Sequence, residues 1–311
     1  LVPPDTSIDF LGKRFAVFAL SAVLIVGSLG LFLTRGLNLG IDFLGGIVIE
    51  VQTAGPADIG AMRSTLGELG LGEVSLQGFG EPDVVLIRIQ RQPGGDAAQQ
   101  EAVTAVKDAL GGTVVEYRRT ETVGPTVGEE LMWAAIEAVT AAIGAILVYI
   151  WFRFEWQFGV AAVVALVHDV VSTIGLFSLV QLEFNLATVA AVLTIAGYSI
   201  NDTVVVFDRV RENRRKYKKL ELSDLFNLSI NGTLSRTTMT SFTTLLALGA
   251  LYFFGGEVIR GFSVALIWGV VIGTYSSIAV AVPLLLYLGV YTGPGEDEDV
   301  SPFGAEAGGA E

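Results

Sequence analysis

Long runs of apolar residues constrain this sequence more than any other feature. About 20 consecutive apolar residues are needed to cross the hydrocarbon core of a bilayer as a helix. Six such runs occur, and they cover residues 15–34, 131–152, 158–180, 184–207, 237–256 and 261–291. The sequence therefore predicts an α-helical polytopic membrane protein with six transmembrane helices.

The first and last runs each allow a second interpretation. Residues 15–34 follow two basic residues as a signal peptide would, but the apolar stretch is long for one and lacks a small-residue cleavage site. We therefore expect a retained anchor. The run 261–291 exceeds one crossing, so either Pro283 kinks that helix or its end lies in the membrane interface.

Lysine and arginine concentrate on one side of the predicted spans. They lie before the first span and in the connections after the second and fourth spans, and the 208–236 connection alone contains eight of them. Cytoplasmic loops of membrane proteins carry such an excess. We therefore expect residues 1–14 and 292–311 to face the cytoplasm and residues 35–130 to form a domain outside.

The outside segment alternates between short strand and helix patterns. The segments, in chain order, are 47–53, 58–70, 73–79, 83–90, 97–111 and 113–123. Period-2 patterns predict strands in four of them, and an apolar helical stripe or a glycine stop predicts helices in the second and fifth. The order β-α-β-β-α-β predicts a small α+β ferredoxin-like extracytoplasmic domain.

Three further segments lie at the predicted cytoplasmic surface. The basic stretch 209–219 is a solvated juxtamembrane segment in the simplest interpretation, and a contact for anionic lipid or a ribosome-side partner in a sharper one. The sequence LSDLFNLSI at 222–230 predicts a short amphipathic helix in the interface. The tail 292–311 has six acids and no base, which predicts disorder.

The composition excludes several classes of function. The 311 residues include no cysteine and one histidine, which excludes disulfide scaffolds, thiolate metal sites and multi-histidine centres. The net charge of −13 gives no support to nucleic-acid binding, which needs a basic face. No P-loop motif or soluble-type catalytic set is present. We therefore expect a membrane protein that is not an enzyme, needs no cofactor and does not draw on ATP itself.

Acidic residues inside the predicted spans point to function, because burying one costs roughly 2.5–3.5 kcal/mol on insertion scales. The sharpest case is Asp202, where Tyr198, Ser199, Asn201 and Thr203 interrupt an otherwise apolar span. Such a carboxylate is a candidate for carrying a proton. The neutral oxygens beside it also allow sodium as the coupling ion.

The alternative for Asp202 is a static ion pair that never changes its protonation state. Arg236 lies at the predicted cytoplasmic end of the fifth span and is the candidate partner. The residues alone leave both interpretations open.

Two more ionisable positions are weaker candidates. Asp169 lies near the middle of the third span beside His168, which either extends a proton path or is a hydrogen-bonded packing residue. Because adjacent helical residues point about 100° apart, we expect that the two do not face one spot. Glu137 lies two turns inside the second span, and we expect it to be a helix–helix hydrogen-bond partner.

The fifth and sixth spans carry patterns for helix packing. Seven hydroxyl residues lie within positions 235–244, and they either bond back to helix carbonyls or line a polar interface, which we favour for this density. Gly269 and Gly273 are spaced four apart, as in closely packed membrane helices.

Five sequence motifs together resemble the SecF family of the bacterial protein-export machinery. They are GIDFLGG (40–46), VGPTVGEEL (123–131), HDV (168–170), GYSINDTVVVFDRVREN (197–213) and SRTTMTS (235–241). The first alone would be shared with SecD, whereas the long fourth motif is specific. The resemblance extends through all six spans and the outside domain.

The resemblance implies a fold of the resistance-nodulation-division transporter type in the bacterial plasma membrane. In S-I-N-D-T, Asp202 matches the family's essential intramembrane aspartate. Arg236 in S-R-T matches the arginine that responds to its protonation, and His168 and Asp169 match the HD pair. SecD is implied as partner, as a separate subunit or as the other half of a fused chain, and the first residue, which is not Met, is compatible with the fused case.

The implied mechanism is proton-driven export of unfolded preprotein at a late stage, after the SecYEG channel and the SecA ATPase have moved it across the membrane. Protonation of Asp202 would release Arg236, shift the helices and swing the outside domain. A small-molecule or lipid pump of the same superfamily is the first alternative, although about 90 residues outside are few for a ligand pocket. A non-coupling scaffold subunit is the second.

Overall fold

The computed structural model describes residues 6–256 and 259–290. Within them, six helices are long and apolar enough to cross a membrane. They are α1 (Arg14–Arg35), α5 (Pro125–Arg153), α6 (Trp156–Val180), α7 (Leu186–Lys216), α8 (Leu222–Phe254) and α9 (Arg260–Ser276), the last continued by a π-helix (Ser277–Ala281) and α10 (Val282–Leu285). Each apolar run of the sequence thus lies in its own helix.

The six helices divide into an inner and an outer set. More than half of the most apolar segment is buried in α6, α7 and α9, whereas α1, α5 and α8 bury between 6% and 17% of theirs. At the end where α5 meets α6, aromatic packing closes the inner set, with the rings of Phe158 and Phe207 5.0 Å apart in an edge-on arrangement. The outer helices therefore present large apolar faces that the described chain does not cover.

The connection expected at 208–236 is mostly helical. Helix α7 continues to Lys216 and α8 begins at Leu222, so only 217–221 separate them. The separate interfacial helix expected at 222–230 is wrong, because these residues form the first turns of α8. Its apolar side chains Leu225, Phe226 and Ile230 are fully buried in the protein core rather than available to a membrane surface.

The N-terminal segment covers this part of α8. The backbone amides of Ile8 and Phe10 donate hydrogen bonds to the side-chain oxygens of Asn231 and Asn227, both at 2.9 Å. Beside them, the carboxylate of Asp9 accepts from the Gly12 amide, and this hydrogen bond lowers the pKa of Asp9. The first turns of α8 are thereby held between the chain terminus and the helix bundle.

The end of the last apolar run changes its helical hydrogen bonding ahead of Pro283. The wider π-helical turn at Ser277–Ala281 comes directly before α10, which contains this proline. Proline has no amide hydrogen and clashes with the preceding turn of a regular α-helix. Prolines and π-turns are both recognised causes of a break in a regular helix. The tail 292–311 lies outside the described residues.

The segment between α1 and α5 contains a four-stranded antiparallel sheet with two helices. Its elements are β2 (Gly46–Thr53), α3 (Ile59–Gly67), β3 (Val74–Phe79), β4 (Glu81–Ile89), α4 (Gly95–Leu110) and β5 (Val114–Val123). The strand order across the sheet is β3-β4-β2-β5. Ile47, Ile49 and Val51 alternate along β2 and are fully buried in one cluster with Leu66 of α3 and Val106 of α4.

The second face of the sheet is joined to the ends of the inner helices. Strand β1 (Asn38–Leu39) pairs in parallel with β6 (Glu183–Phe184), which lies between α6 and α7. Arg88 of β4 forms an ion pair with Glu183. The carboxylate of Asp42, in the short helix α2 (Ile41–Leu44), accepts a hydrogen bond of 2.9 Å from the first amide of α7.

The double glycine that ends GIDFLGG has a conformational reason. Gly45 and Gly46 have φ angles of +70° and +129°, a region that favours glycine. A side chain on Gly46 would also meet the carbonyl oxygen of Ile89 at 2.7 Å. The motif therefore allows the chain to turn sharply from α2 into the first strand of the sheet.

Candidate functional site: two buried aspartates among the inner helices

Close packing of α7 against α9 creates the site. A side chain on Gly269 would collide with Ile195, and a Cβ atom on Gly273 would lie 3.2 Å from Cβ of Ser199. These two glycines allow the approach that their spacing predicted. The approach places polar side chains of α6, α7, α8 and the end of α9 within hydrogen-bonding distance of each other.

Asp202 of α7 lies between α8 and the start of the π-helix. Only 7% of the residue is exposed. Thr237 of α8 donates a hydrogen bond of 2.8 Å to Oδ1, and Ser277 donates one of 2.8 Å to Oδ2. Each carboxylate oxygen therefore has one neutral hydroxyl donor.

Arg236 lies beside this cluster without joining it. It is exposed on α8, next to Thr237, and is close enough to interact electrostatically with Asp202. In the described part of the chain, no Arg236–Asp202 ion pair falls within 4.0 Å. The static ion pair considered for Asp202 is therefore not formed in this structure.

Asp169 of α6 occupies a fully buried site next to the first. Ser199 and Ser276 donate hydrogen bonds of 2.5 and 2.7 Å to Oδ2. Nδ1 of His168 lies 3.0 Å from Oδ1. The expectation that two adjacent residues cannot face one spot is wrong here, because the imidazole ring folds back towards the neighbouring carboxylate.

His168 has a second ring nitrogen in an apolar environment. Nε2 is buried and has no hydrogen-bond partner among the described residues. The ring packs at 5.9 Å from that of Tyr275, whose hydroxyl lies 2.9 Å from that of Ser21. His168 is thus both a hydrogen-bond partner of Asp169 and a packing residue between α6, α9 and α1.

The other predicted site residues have different positions. Thr203 donates to the backbone carbonyl of Ser199, and Tyr198 donates to Ser241. Asn201 is exposed, and Glu137 is exposed on α5, away from both aspartates. The neutral oxygens considered for sodium beside Asp202 are those of Ser199, Asn201 and Thr203, and none of them bonds to Asp202 among the described contacts. Ser199 instead donates to Asp169.

The hydroxyl residues of α8 divide between the two expected roles. Thr240, Thr243 and Thr244 donate back to carbonyls one turn earlier. Thr237 and Ser241 instead point inward, where the hydroxyl of Ser241 lies 2.6 Å from that of Thr274 on α9. Part of this helix is therefore a polar interface within the bundle.

Sequence reasoning missed Ser276 and Ser277. Both are fully buried, and each bonds to one of the two aspartates. In the sequence they stand in TYSSIAV (274–280), within the last apolar run and a few residues before Pro283. Two adjacent hydroxyls inside a transmembrane run, close to a proline, are the signal that would have identified them.

Comparisons with known proteins agree over most of the chain. Residues 103–290 match the family profile "Protein export membrane protein SecD/SecF, C-terminal", and residues 30–57 match the "SecD/SecF GG Motif". The Protein translocase subunit SecF of Rhodobacter capsulatus is 49% identical over 304 residues, which cover 93% of this chain and 91% of that protein. The same-named protein of Rickettsia akari is 46% identical over 294 residues, covering 92% and 93%.

Solved structures show the same similarity. The crystal structure of SecDF, described as a translocon-associated membrane protein from Thermus thermophilus, superposes with a TM-score of 0.84 at 38% identity. SecDF in its super-membrane-facing form gives a TM-score of 0.68 at the same identity. The match covers 93% of this chain but only 39% of the first SecDF chain, so this chain spans about two fifths of that protein. The chain is therefore a multi-pass membrane protein that belongs to the SecD/SecF family of protein-export membrane proteins, as a SecF-type translocase subunit.

Proposed function

We propose that this chain is the SecF part of a proton-driven SecDF complex and acts as a coupling subunit rather than as an enzyme. SecD would be its direct partner, either as a separate subunit or as part of a fused chain. The complex would draw unfolded preprotein outward after the SecYEG channel and SecA have moved it across the plasma membrane. The structural similarity to SecDF supports the first part of this proposal, and the geometry around Asp202 carries the second.

An uncovered face on the inner helix α7 supports a SecD contact. Five of its exposed positions recur every three or four residues and belong to Ala187, Ala190, Thr194, Gly197 and Asn201. Small residues in such a row let another helix approach closely inside a membrane. Because the matched SecDF chain is much longer than this one, we infer that SecD helices cover this row and the exposed face of α8 with Arg236.

The basic residues support an orientation with the sheet domain outside. Arg153 pairs with Asp208, and Arg214 pairs with Glu155, at the end of the bundle opposite to the sheet. The positive-inside rule then puts this end and both termini in the cytoplasm. We further infer that the outside domain is ferredoxin-like, since its element order and strand order follow that pattern.

The observation that carries proton coupling is that Asp202 is buried and that, among the described contacts, its carboxylate is hydrogen-bonded only by neutral hydroxyls. A permanent ion pair within contact distance would fix the charge of the carboxylate, whereas hydroxyl partners accommodate both protonation states. Arg236 is near enough to respond to a change of that charge. We infer that protonation of Asp202 weakens the attraction of Arg236 and lets α8 move relative to α7.

The available energy suffices for such a movement. One proton crossing 100 mV releases about 2.3 kcal/mol. At 1.4 kcal/mol per tenfold change, this shifts a two-state equilibrium by about fiftyfold. Because the sheet is tied to the α6–α7 connection through β1, β6 and Glu183, a helix shift would be passed to the outside domain.

The test is preprotein export in vesicles that contain this chain, SecD, SecYEG and SecA. Asp202→Asn should abolish the stimulation of export by an imposed proton gradient while the complex still assembles. Asp208→Asn is the matched control, because it removes the same charge from the same helix at the surface and should leave the stimulation intact. Normal stimulation in the Asp202→Asn vesicles would overturn the proton mechanism and favour a scaffold role.

A further inference from the structure

Ser276 and Ser277 are adjacent in sequence but bond to different carboxylates. Ser276, the last residue of α9, donates to Oδ2 of Asp169 at 2.7 Å, and Ser277, the first residue of the π-helix, donates to Oδ2 of Asp202 at 2.8 Å. Both serines are fully buried. A single dipeptide thus joins the hydrogen-bond clusters of the two aspartates.

A second link between the clusters runs along α7. Ser199, which donates to Asp169, lies one helical turn before Asp202 on the same helix. A displacement of α7 or of the π-helix therefore changes the surroundings of both carboxylates together.

Each of the two serines has a second acceptor within reach. The hydroxyl of Ser276 lies 3.2 Å from the carbonyl oxygen of Gly273, and that of Ser277 lies 3.1 Å from the carbonyl oxygen of Thr274. A hydroxyl has one hydrogen to donate and can accept as well. The other hydroxyl donors to the aspartates, Ser199 and Thr237, have no such second acceptor among the described hydrogen bonds.

This arrangement allows the hydrogen bond to reverse. When the carboxylate is ionised, the serine donates to it. When the carboxyl group is protonated, its O–H donates to the serine oxygen, and the serine hydrogen turns to the backbone carbonyl. No buried group loses its partner in either state, so neither state carries the cost of about 1–3 kcal/mol for an unsatisfied buried group.

We propose that the Ser276–Ser277 pair couples proton binding at Asp202 to proton binding at Asp169. Both serines act as positioning residues through a reversible hydrogen bond at the π-helical turn. The proposal rests on the proposed function only in that Asp202 changes its protonation state. The titratable or charged groups that face the pair from the surrounding helices are His168, Asp169, Tyr198, Asp202, Arg236 and Tyr275.

The test measures proton affinity directly by infrared titration of the reconstituted complex with SecD. The carboxylic acid band of Asp169, identified by its loss in Asp169→Asn, is titrated with and without the Asp202→Asn change. The proton affinity of Asp169 should differ between the two by at least about fivefold, the lower end of typical coupling between sites. The difference should fall below this limit of about fivefold when both serines are alanine.

Two further variants separate this role from a structural one. Ser263→Ala removes another fully buried serine of α9, whose one described hydrogen bond goes to the carbonyl oxygen of Ile259 at the start of its own helix, and should leave the coupling unchanged. Ser277→Thr keeps the hydroxyl and should retain the coupling even if the double alanine variant does not assemble. Undiminished coupling in the double variant, loss of coupling in Ser277→Thr, or no titration of Asp169 in the accessible pH range would overturn the proposal.

The outcome is distinguishable from that of the proposed function. If the coupling is present but Asp202→Asn leaves gradient-driven export intact, the proposal of proton-driven export is rejected and the proposed coupling through Ser276 and Ser277 is retained. If export depends on Asp202 but the coupling is the same without the two serines, only the proposed coupling through Ser276 and Ser277 is rejected.

Discussion

Asp169 and Asp202 are the same residue type on neighbouring inner helices, and each is bonded by one member of the same serine pair, yet their surroundings differ. Asp169 is fully buried and, among the described residues, forms no hydrogen bond or ion pair with an arginine or lysine. Asp202 is also buried, but it lies beside Arg236 and Asn201, which are exposed in the described part of the chain. From this contrast we infer that Asp169 mainly stabilises the fold, while Asp202 responds to charges outside the inner helices.

The largest expected difference is in stability. Asp169→Ala removes the acceptor of Ser199 and His168, which have no alternative among the described hydrogen bonds, and should lower the free energy of unfolding by about 2–4 kcal/mol. Asp202→Ala should cost about 1–2 kcal/mol, because it leaves one buried donor, Thr237, without an acceptor while Ser277 can turn to its backbone acceptor. Denaturant titration of both variants in detergent micelles checks this order, and equal losses would remove the distinction between the two sites.

The second prediction concerns the packing that holds both aspartates in place. Gly269→Ala puts a methyl group into the side chain of Ile195 and should cost about 1–2 kcal/mol of unfolding free energy through overpacking. Combining it with Ile195→Ala should recover part of the loss, as a double-mutant cycle would show. Strictly additive losses would mean that this contact does not set the distance between α7 and α9.

Glu183, a third carboxylate that lies between α6 and α7 and outside the long helices, extends the comparison to the effect of pH. Burial raises the pKa of Glu183 above its ordinary value, and the nearby Arg88 opposes this effect. We call the sheet docked when Arg88 and β1 contact the α6–α7 connection at Glu183 and β6. Because Glu183 binds its proton more tightly in the docked state, docking is strongest below the ordinary pKa of this residue. It weakens as the pH rises through the raised pKa.

Spin-label distances between the sheet and the α6–α7 connection measure this docking. The chain has no cysteine, so one labelling cysteine can be introduced in the sheet and one in the α6–α7 connection. The distance distribution should broaden as the pH rises, and Glu183→Gln should flatten the response. Narrowing with rising pH would show that the attraction of Arg88 outweighs burial.

The smallest effect is expected at the surface of α7. Asp208 lies six residues after Asp202 and pairs with Arg153 at 2.8 Å, with both side chains more than 40% exposed. Exposed ion pairs contribute about 0–1 kcal/mol. Asp208→Asn should change the unfolding free energy by about 0.5 kcal/mol or less in the same micelle assay. A loss as large as that of Asp169→Ala would show that burial does not explain the contrast.

The sequence predicted those parts of the fold that depend on local patterns. Apolar runs mark the helices because hydrocarbon demands them, and period-2 stretches such as 83–90 mark the strands. The helix at 222–230 was misassigned because amphipathicity does not tell a membrane surface from a protein core. Only the tertiary fold reveals that the N-terminal segment covers Asn227 and Asn231.

The site shows the same division. Asp202 and Asp169 stand out because an ionisable group in a span is costly. Their partners do not, since Ser276 and Ser277 are ordinary residues until a π-turn orients them towards two different helices. The position of Arg236 relative to Asp202 could not be predicted from the sequence either. It depends on where α8 begins, because that start decides which turn of the helix lies beside Asp202.

Helix α7 has a consequence for the far side of the molecule. Its 31 residues form one unbroken helix of about 46 Å, against a hydrocarbon thickness of about 30 Å. A rotation of this helix at Asp202 would therefore be transmitted to its C-terminal end, which carries Arg211, Arg214 and Arg215. At a side-chain radius of about 6 Å, rotating the helix about its axis by about 20° would move those guanidinium groups sideways by about 2 Å. A molecule bound to that surface would therefore be displaced if protonation of Asp202 rotated α7.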